Sequence, residues 1–113
     1  MITEDIKILA DHYGYDIEAH KLMSEMGELT QALADLDVES KTDGFLSMDA
    51  ALFSYVADGN DSLDHVYEEI ADVTICLSEV IHLLGCMDRV NEWREMKIKR
   101  QMERILNEQG EVQ

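Results

Sequence analysis

Four carboxylates fall into two pairs with the spacing that places both members on one side of a helix: Glu25 with Glu28, and Glu69 with Asp72. Spacing alone says little, because 25 acids in 113 positions supply about five such pairs by chance. Which face they occupy says more. At about 100° per residue, Val66, Val73, Cys76, Leu77, Val80, Leu83 and Leu84 all lie within roughly 80° of Glu69. Glu69 therefore interrupts an apolar arc, and Asp72 lies at its edge. Glu25 likewise borders an arc of Leu22, Leu29, Leu33 and Leu36, with Glu28 and Lys21 just beyond. An ionised carboxylate left alone in such a place is strongly destabilising unless it takes up a proton or a cation. Four converging carboxylates are hard oxygen donors, suited to Mg²⁺ or Mn²⁺ rather than zinc. The competing reading is a buried glutamate paired with Lys21 or an arginine.

Positive charge is concentrated near the C-terminus. Arg89, Arg94, Lys97, Lys99, Arg100 and Arg104 are six of the nine basic residues. Lys97, Arg100 and Arg104 share one helical face and could clamp phosphate oxygens. Basic residues also favour a helix C-terminus for dipole reasons alone, so both readings stand.

The elements that must position these groups are helices. The chain has no proline and six glycines, so long apolar periodicities run unbroken. Thr3 caps a short first helix ending near Tyr13-Gly14, and Asp16 offers a cap for a second over about Ile17 to Val38. Residues 39–61 change character, with turn-forming residues flanking a short apolar stretch from Phe45 to Val56. Here the pattern predicts a loop, a short helix or both. Asp61 or Ser62 caps a third helix from about Leu63 to Leu84, which Gly85 ends. Met87-Asp88 launches a last helix to about Asn107, leaving residues 108–113 as a frayed tail. The expected fold is all-α: one domain spanning 1–113, a bundle of four to five helices whose four-helix core a second copy completes.

Composition restricts the partners. A formal net charge of −16 opposes binding to nucleic acid. The apolar runs are too short for a membrane span, and the charged opening residues Glu4, Asp5 and Lys7 do not read as a signal peptide. Cys76 and Cys86 lie ten residues apart, about 15 Å along a helix, too far to bridge. Two lone thiols suggest a reducing compartment, so the expectation is cytoplasmic.

The motifs Glu25-Met26-Gly27-Glu28, within LMSEMGELTQAL, and Glu69-Ile70-Ala71-Asp72, within YEEIADVTICL, are followed by the basic KIKRQMERI from Lys97. In this order they resemble the MazG-like all-α nucleoside triphosphate pyrophosphohydrolases, a group related to the dimeric dUTPases. The resemblance covers about residues 17–38 and 62–106. It implies hydrolysis of an NTP or dNTP between the α- and β-phosphates, giving NMP or dNMP and pyrophosphate, as part of nucleotide-pool house-cleaning. Glu25, Glu28, Glu69 and Asp72 would hold Mg²⁺ (or Mn²⁺), with Glu25 or Glu28 as a candidate general base. Lys97, Arg100, Arg104 and, less directly, Lys21 would stabilise charge on pyrophosphate. Phe53, Tyr55 and Trp93 are candidates for contacting the base. A homodimer or homotetramer follows from the same resemblance.

Three positions depart from the family pattern. Ser24 stands where a further Glu is common, Gln101 stands where Asn is common, and the 39–61 insert between the acidic motifs is long. Other readings compete. A di-iron bundle needs two Glu-x-x-His motifs, and only Glu79-Val80-Ile81-His82 fits, with His82 on the face opposite Glu69. His12, His20 and His65 are scattered and read as surface or satisfied core groups. A DNA mimic needs its carboxylates on the outside, whereas Glu25 and Glu69 point inward. A catalytically silent nucleotide-binding relative or an acidic partner-binding bundle is the remaining alternative.

Overall fold

The computed structural model describes residues 2–42 and 61–112, with side chains over 2–38 and 62–110. The expected short helix within Phe45 to Val56, and the candidate base contacts Phe53 and Tyr55, lie outside these residues. Every element among the described residues is α-helical: α1 (Glu4–Tyr13), α2 (Tyr15–Thr42), α3 (Asp61–Leu84) and α4 (Met87–Val112).

Local chemistry sets the boundaries. The Ile6 amide donates to Thr3 Oγ1 at 3.3 Å, satisfying one of the first-turn donors of α1. Gly14 ends α1 with φ +85°, and its own amide returns to the Ala10 carbonyl at 2.8 Å. The Gly14 carbonyl then accepts from the Glu18 amide at 3.1 Å. One residue thus closes α1 and opens α2, which is why α2 begins at Tyr15 rather than needing Asp16 as a cap. Asp16 lies inside its first turn. Gly85, at φ +60°, ends α3, where a residue with a Cβ would be strained. At the far end α4 runs to Val112, through residues expected as a tail.

The chain divides into two units, Met1–Leu83 with α1, α2 and nearly all of α3, and Leu84–Gln113 with α4. In the first unit the core forms where α2 meets α3: Ala32 and Leu36 pack with Leu63 and Val66, and Leu29 packs against them. Each large apolar side chain withdrawn from water here contributes about 1.5–3 kcal/mol. Two details differ from the helical-wheel expectation. Ala32, not Leu33, faces α3, and Leu33 is exposed. Leu77 and Leu84, expected in the arc around Glu69, are also exposed. A wheel gives equal weight to every large apolar side chain, whereas close helix packing selects the narrower stripe where a small residue lets the backbones approach.

A second contact ties α1 to α3. His82 Nε2 lies 2.9 Å from an Asp11 carboxylate oxygen. This engages His82 with α1, away from the acidic pairs.

In the second unit every described residue from Asn91 to Gly110 is exposed. Trp93, Met96, Ile98, Met102, Ile105 and Leu106 are among them. Arg89 stacks over the Trp93 ring at 5.2 Å and pairs with Glu92 at 2.6 Å, so this cation is engaged within its own helix.

Candidate metal centre

Just beyond the apolar core, the α2–α3 seam turns from hydrocarbon to carboxylate. Glu25 comes from α2, Glu69 and Asp72 from successive turns of α3. One carboxylate oxygen from each lies within 4.8 Å of the others. Glu69 is buried at 6 % exposure, and Glu25 and Asp72 are half-buried. Glu25 Oε2 and Glu69 Oε2 are buried without any hydrogen-bond partner. Such orphaned acceptors are rare in native proteins and call for a proton, a water or an ion.

The electrostatics follow from this crowding. A side-chain hydrogen bond with Glu28 is the largest influence raising the Glu25 pKa, followed by burial and by the charges of Glu28, Asp72 and Glu69. Crowding by these acids and withdrawal from water both favour the neutral form of Glu25 over the charged one. Burial is the main cause raising Glu69, aided by Glu28, Asp72 and Glu68 and opposed by His65. His65 Nε2 sits 3.8 Å from Glu69 Oε1, one turn away on α3.

Glu28 is exposed and joins the trio through Glu25 rather than as a fourth member of the tight group. Lys21 is exposed, yet its charge reaches the seam, since it lowers the otherwise burial-raised pKa of the Cys76 thiol. No arginine or lysine neutralises the trio by an ion pair among the described residues, and the only basic group beside Glu69 is His65. The alternative of a glutamate buried against Lys21 therefore does not describe Glu69. Lys97, Arg100 and Arg104 are exposed on α4, in the second unit, as is Trp93. A shallow surface dent lined by Asn91, Arg94, Glu95 and Ile98 belongs to α4 alone and contains none of the carboxylates.

The donor set fits a hard divalent cation. It is all oxygen, carries multiple negative charge and leaves acceptors unsatisfied. Three protein ligands would leave coordination positions open for water or phosphate oxygens, the arrangement Mg²⁺ takes in phosphoryl chemistry.

Sequence reasoning missed two residues. Glu18 and Glu79 are buried as completely as any side chain described, at 0 % and 1 % exposure. Glu79 drew attention only as half of a Glu-x-x-His pair. The available signal was that each lies seven residues from a member of the trio, Glu18 from Glu25 and Glu79 from Asp72, and so on the same face.

Neither Cys76 nor Cys86 forms a disulfide. No single helix among the described residues is long and apolar enough to cross a membrane. Compared with known proteins, the chain matches no family model, no curated protein and no solved structure.

Proposed function

We propose that this chain is a Mg²⁺-dependent nucleoside triphosphate pyrophosphohydrolase, cleaving an NTP or dNTP to the monophosphate and pyrophosphate. The observation that carries the reading is the convergence of Glu25, Glu69 and Asp72 from two helices, with buried oxygens on Glu25 and Glu69 that have no hydrogen-bond partner among the described residues. It also rests on the order of the two acidic motifs and the basic last helix, the pattern that resembles the MazG-like enzymes.

Each residue has a part that its chemistry supports. Glu25, Glu69 and Asp72 hold the cation, and the cation when bound neutralises phosphate oxygens and acidifies water. Glu28, exposed beside Glu25, is assigned the part of general base toward an attacking water. Lys21, Lys97, Arg100 and Arg104 are the cations assigned to the phosphates, where donors aimed at the departing pyrophosphate lower the barrier. An acidic chain that must attract a tetra-anion needs such a local reversal of field. The exposed apolar side chains of α4 support assembly with a second copy, as a homodimer or homotetramer.

The test is pyrophosphate release from a panel of NTPs and dNTPs, including dUTP, with and without Mg²⁺. Release that requires Mg²⁺ and falls by about 100-fold or more in Glu69→Gln supports the reading. Nucleotide binding without release, in folded protein with Mg²⁺ present, would instead mark a silent nucleotide-binding module.

A further inference from the structure

The acidic seam does not end at the trio. Glu18 lies one pair of turns before Glu25 on α2, and Glu79 one pair of turns after Asp72 on α3. The two helices run antiparallel along this seam: Ala32 and Leu36 meet Val66 and Leu63, and then Glu25 meets Asp72. Seven residues return a helix to nearly the same face. A step of seven back along α2 and seven on along α3 therefore brings Glu18 and Glu79 to the same level of the seam. This level is about 10 Å from the trio, from a rise of 1.5 Å per residue. The Cys76 thiol is buried one turn before Glu79, on the same stretch of α3.

Both side chains are sealed from solvent, and three of their four carboxylate oxygens are buried with no hydrogen-bond partner among the described residues: Glu18 Oε1, Glu18 Oε2 and Glu79 Oε2. Native proteins rarely leave one such acceptor unsatisfied, let alone three together. Lys21, the basic residue one turn on from Glu18, is exposed, and His82, one turn on from Glu79, is bound to Asp11. Neither satisfies these oxygens. Two buried carboxylates at one level of a helix seam are strongly destabilising in their charged form unless a positive charge lies between them.

We infer that Glu18 and Glu79 form a second cation site, a structural one, in which a hard divalent ion bridges α2 and α3 beneath α1. It is separate from the trio in residues and in role. The trio is half-open and suited to a cation that exchanges ligands with substrate. The Glu18–Glu79 site is closed, which suits an ion held for folding rather than turnover. Two carboxylates supply at most four oxygens, so water or backbone carbonyls would complete the shell, an irregular set that suits Ca²⁺ or Mn²⁺ better than strictly octahedral Mg²⁺. The inference does not depend on the nucleotide reading, and its test is carried out with the trio disabled.

Mn²⁺ serves as the probe, because its paramagnetic resonance signal reports free against bound ion. Three full-length proteins are compared after circular dichroism shows each to be helical. They are the natural chain, Glu69→Gln/Asp72→Asn, and that variant carrying Glu18→Gln and Glu79→Gln as well. The site predicts one retained Mn²⁺ per chain in Glu69→Gln/Asp72→Asn, a higher melting temperature on adding Mn²⁺, and loss of both in the fourfold variant. Glutamine keeps the shape and removes the charge, so the fourfold variant folds without metal. A folded Glu69→Gln/Asp72→Asn protein that binds no Mn²⁺ overturns the inference. So does retention of the ion and its stabilising effect in the fourfold variant. Absence of pyrophosphatase activity in the natural chain, by contrast, leaves it untouched.

Discussion

At the scale of single residues, the metal-free protein trades stability for a site. Glu25 and Glu69 have pKa values raised above their ordinary 4.5. They therefore bind protons more tightly folded than unfolded, so their contribution is fully present below the ordinary value and is lost as pH rises through the raised one. In chelator-treated protein the urea midpoint should fall as pH rises above the ordinary carboxylate range, and saturating Mg²⁺ should remove most of the fall. A midpoint indifferent to both pH and Mg²⁺ would contradict this. Glu69→Gln should flatten the same pH profile and weaken the response to Mg²⁺, because the amide keeps the shape and cannot ionise. Glu69 was legible in the sequence because it interrupts an apolar arc on its own helix. Glu18 was harder to see, since its only signal is the seven-residue step from Glu25. Glu79 was hidden differently: the His three residues on suggested a ligand pair, whereas His82 is turned to Asp11 on α1.

At the scale of elements, boundaries were written locally and faces were not. Thr3, Gly14 and Gly85 act through hydrogen bonds and backbone angles within a few residues of themselves, so a sequence displays them directly. Gly85→Ala should destabilise by about 1 kcal/mol, because alanine is strained at φ +60°. The choice of Ala32 over Leu33 for the seam depends on how close α3 can approach, which no single helix encodes. Leu36, at 2 % exposure, is the most completely buried leucine in that seam. Leu36→Ala should cost about 2–5 kcal/mol in a chemical-denaturation experiment. A loss below about 1 kcal/mol would mean that the α2–α3 seam is not what holds the first unit together.

At the scale of the whole molecule, charge and apolar surface are unevenly divided. Residues 1–83 carry 19 of the 25 acids and three of the nine bases, while residues 84–113 hold six of each. The entire net charge of −16 thus belongs to the first unit. The second unit is a neutral helix exposing both Lys97, Arg100 and Arg104 and the apolar residues Ile98, Met102 and Ile105. A helix with so much uncovered hydrocarbon is poorly stable alone, and a second copy is the partner that symmetry favours. Light scattering during size exclusion should report a dimer or tetramer, and Ile98→Glu/Ile105→Glu should shift it to monomer. A monomeric natural chain at micromolar concentration would oppose assembly. All-α architecture was legible from unbroken periodicity, but oligomerisation cannot be read from one chain's pattern, because apolar surface looks the same whether its partner is intramolecular or not. The central claim is that the carboxylates of the α2–α3 seam serve hydrolysis between the α- and β-phosphates. The most direct test follows the phosphorus resonances of a nucleoside triphosphate incubated with the protein and Mg²⁺. Conversion to monophosphate and pyrophosphate, absent without Mg²⁺ and absent in Glu69→Gln, is the predicted result. An unchanged triphosphate, or diphosphate with inorganic phosphate as products, would contradict the account.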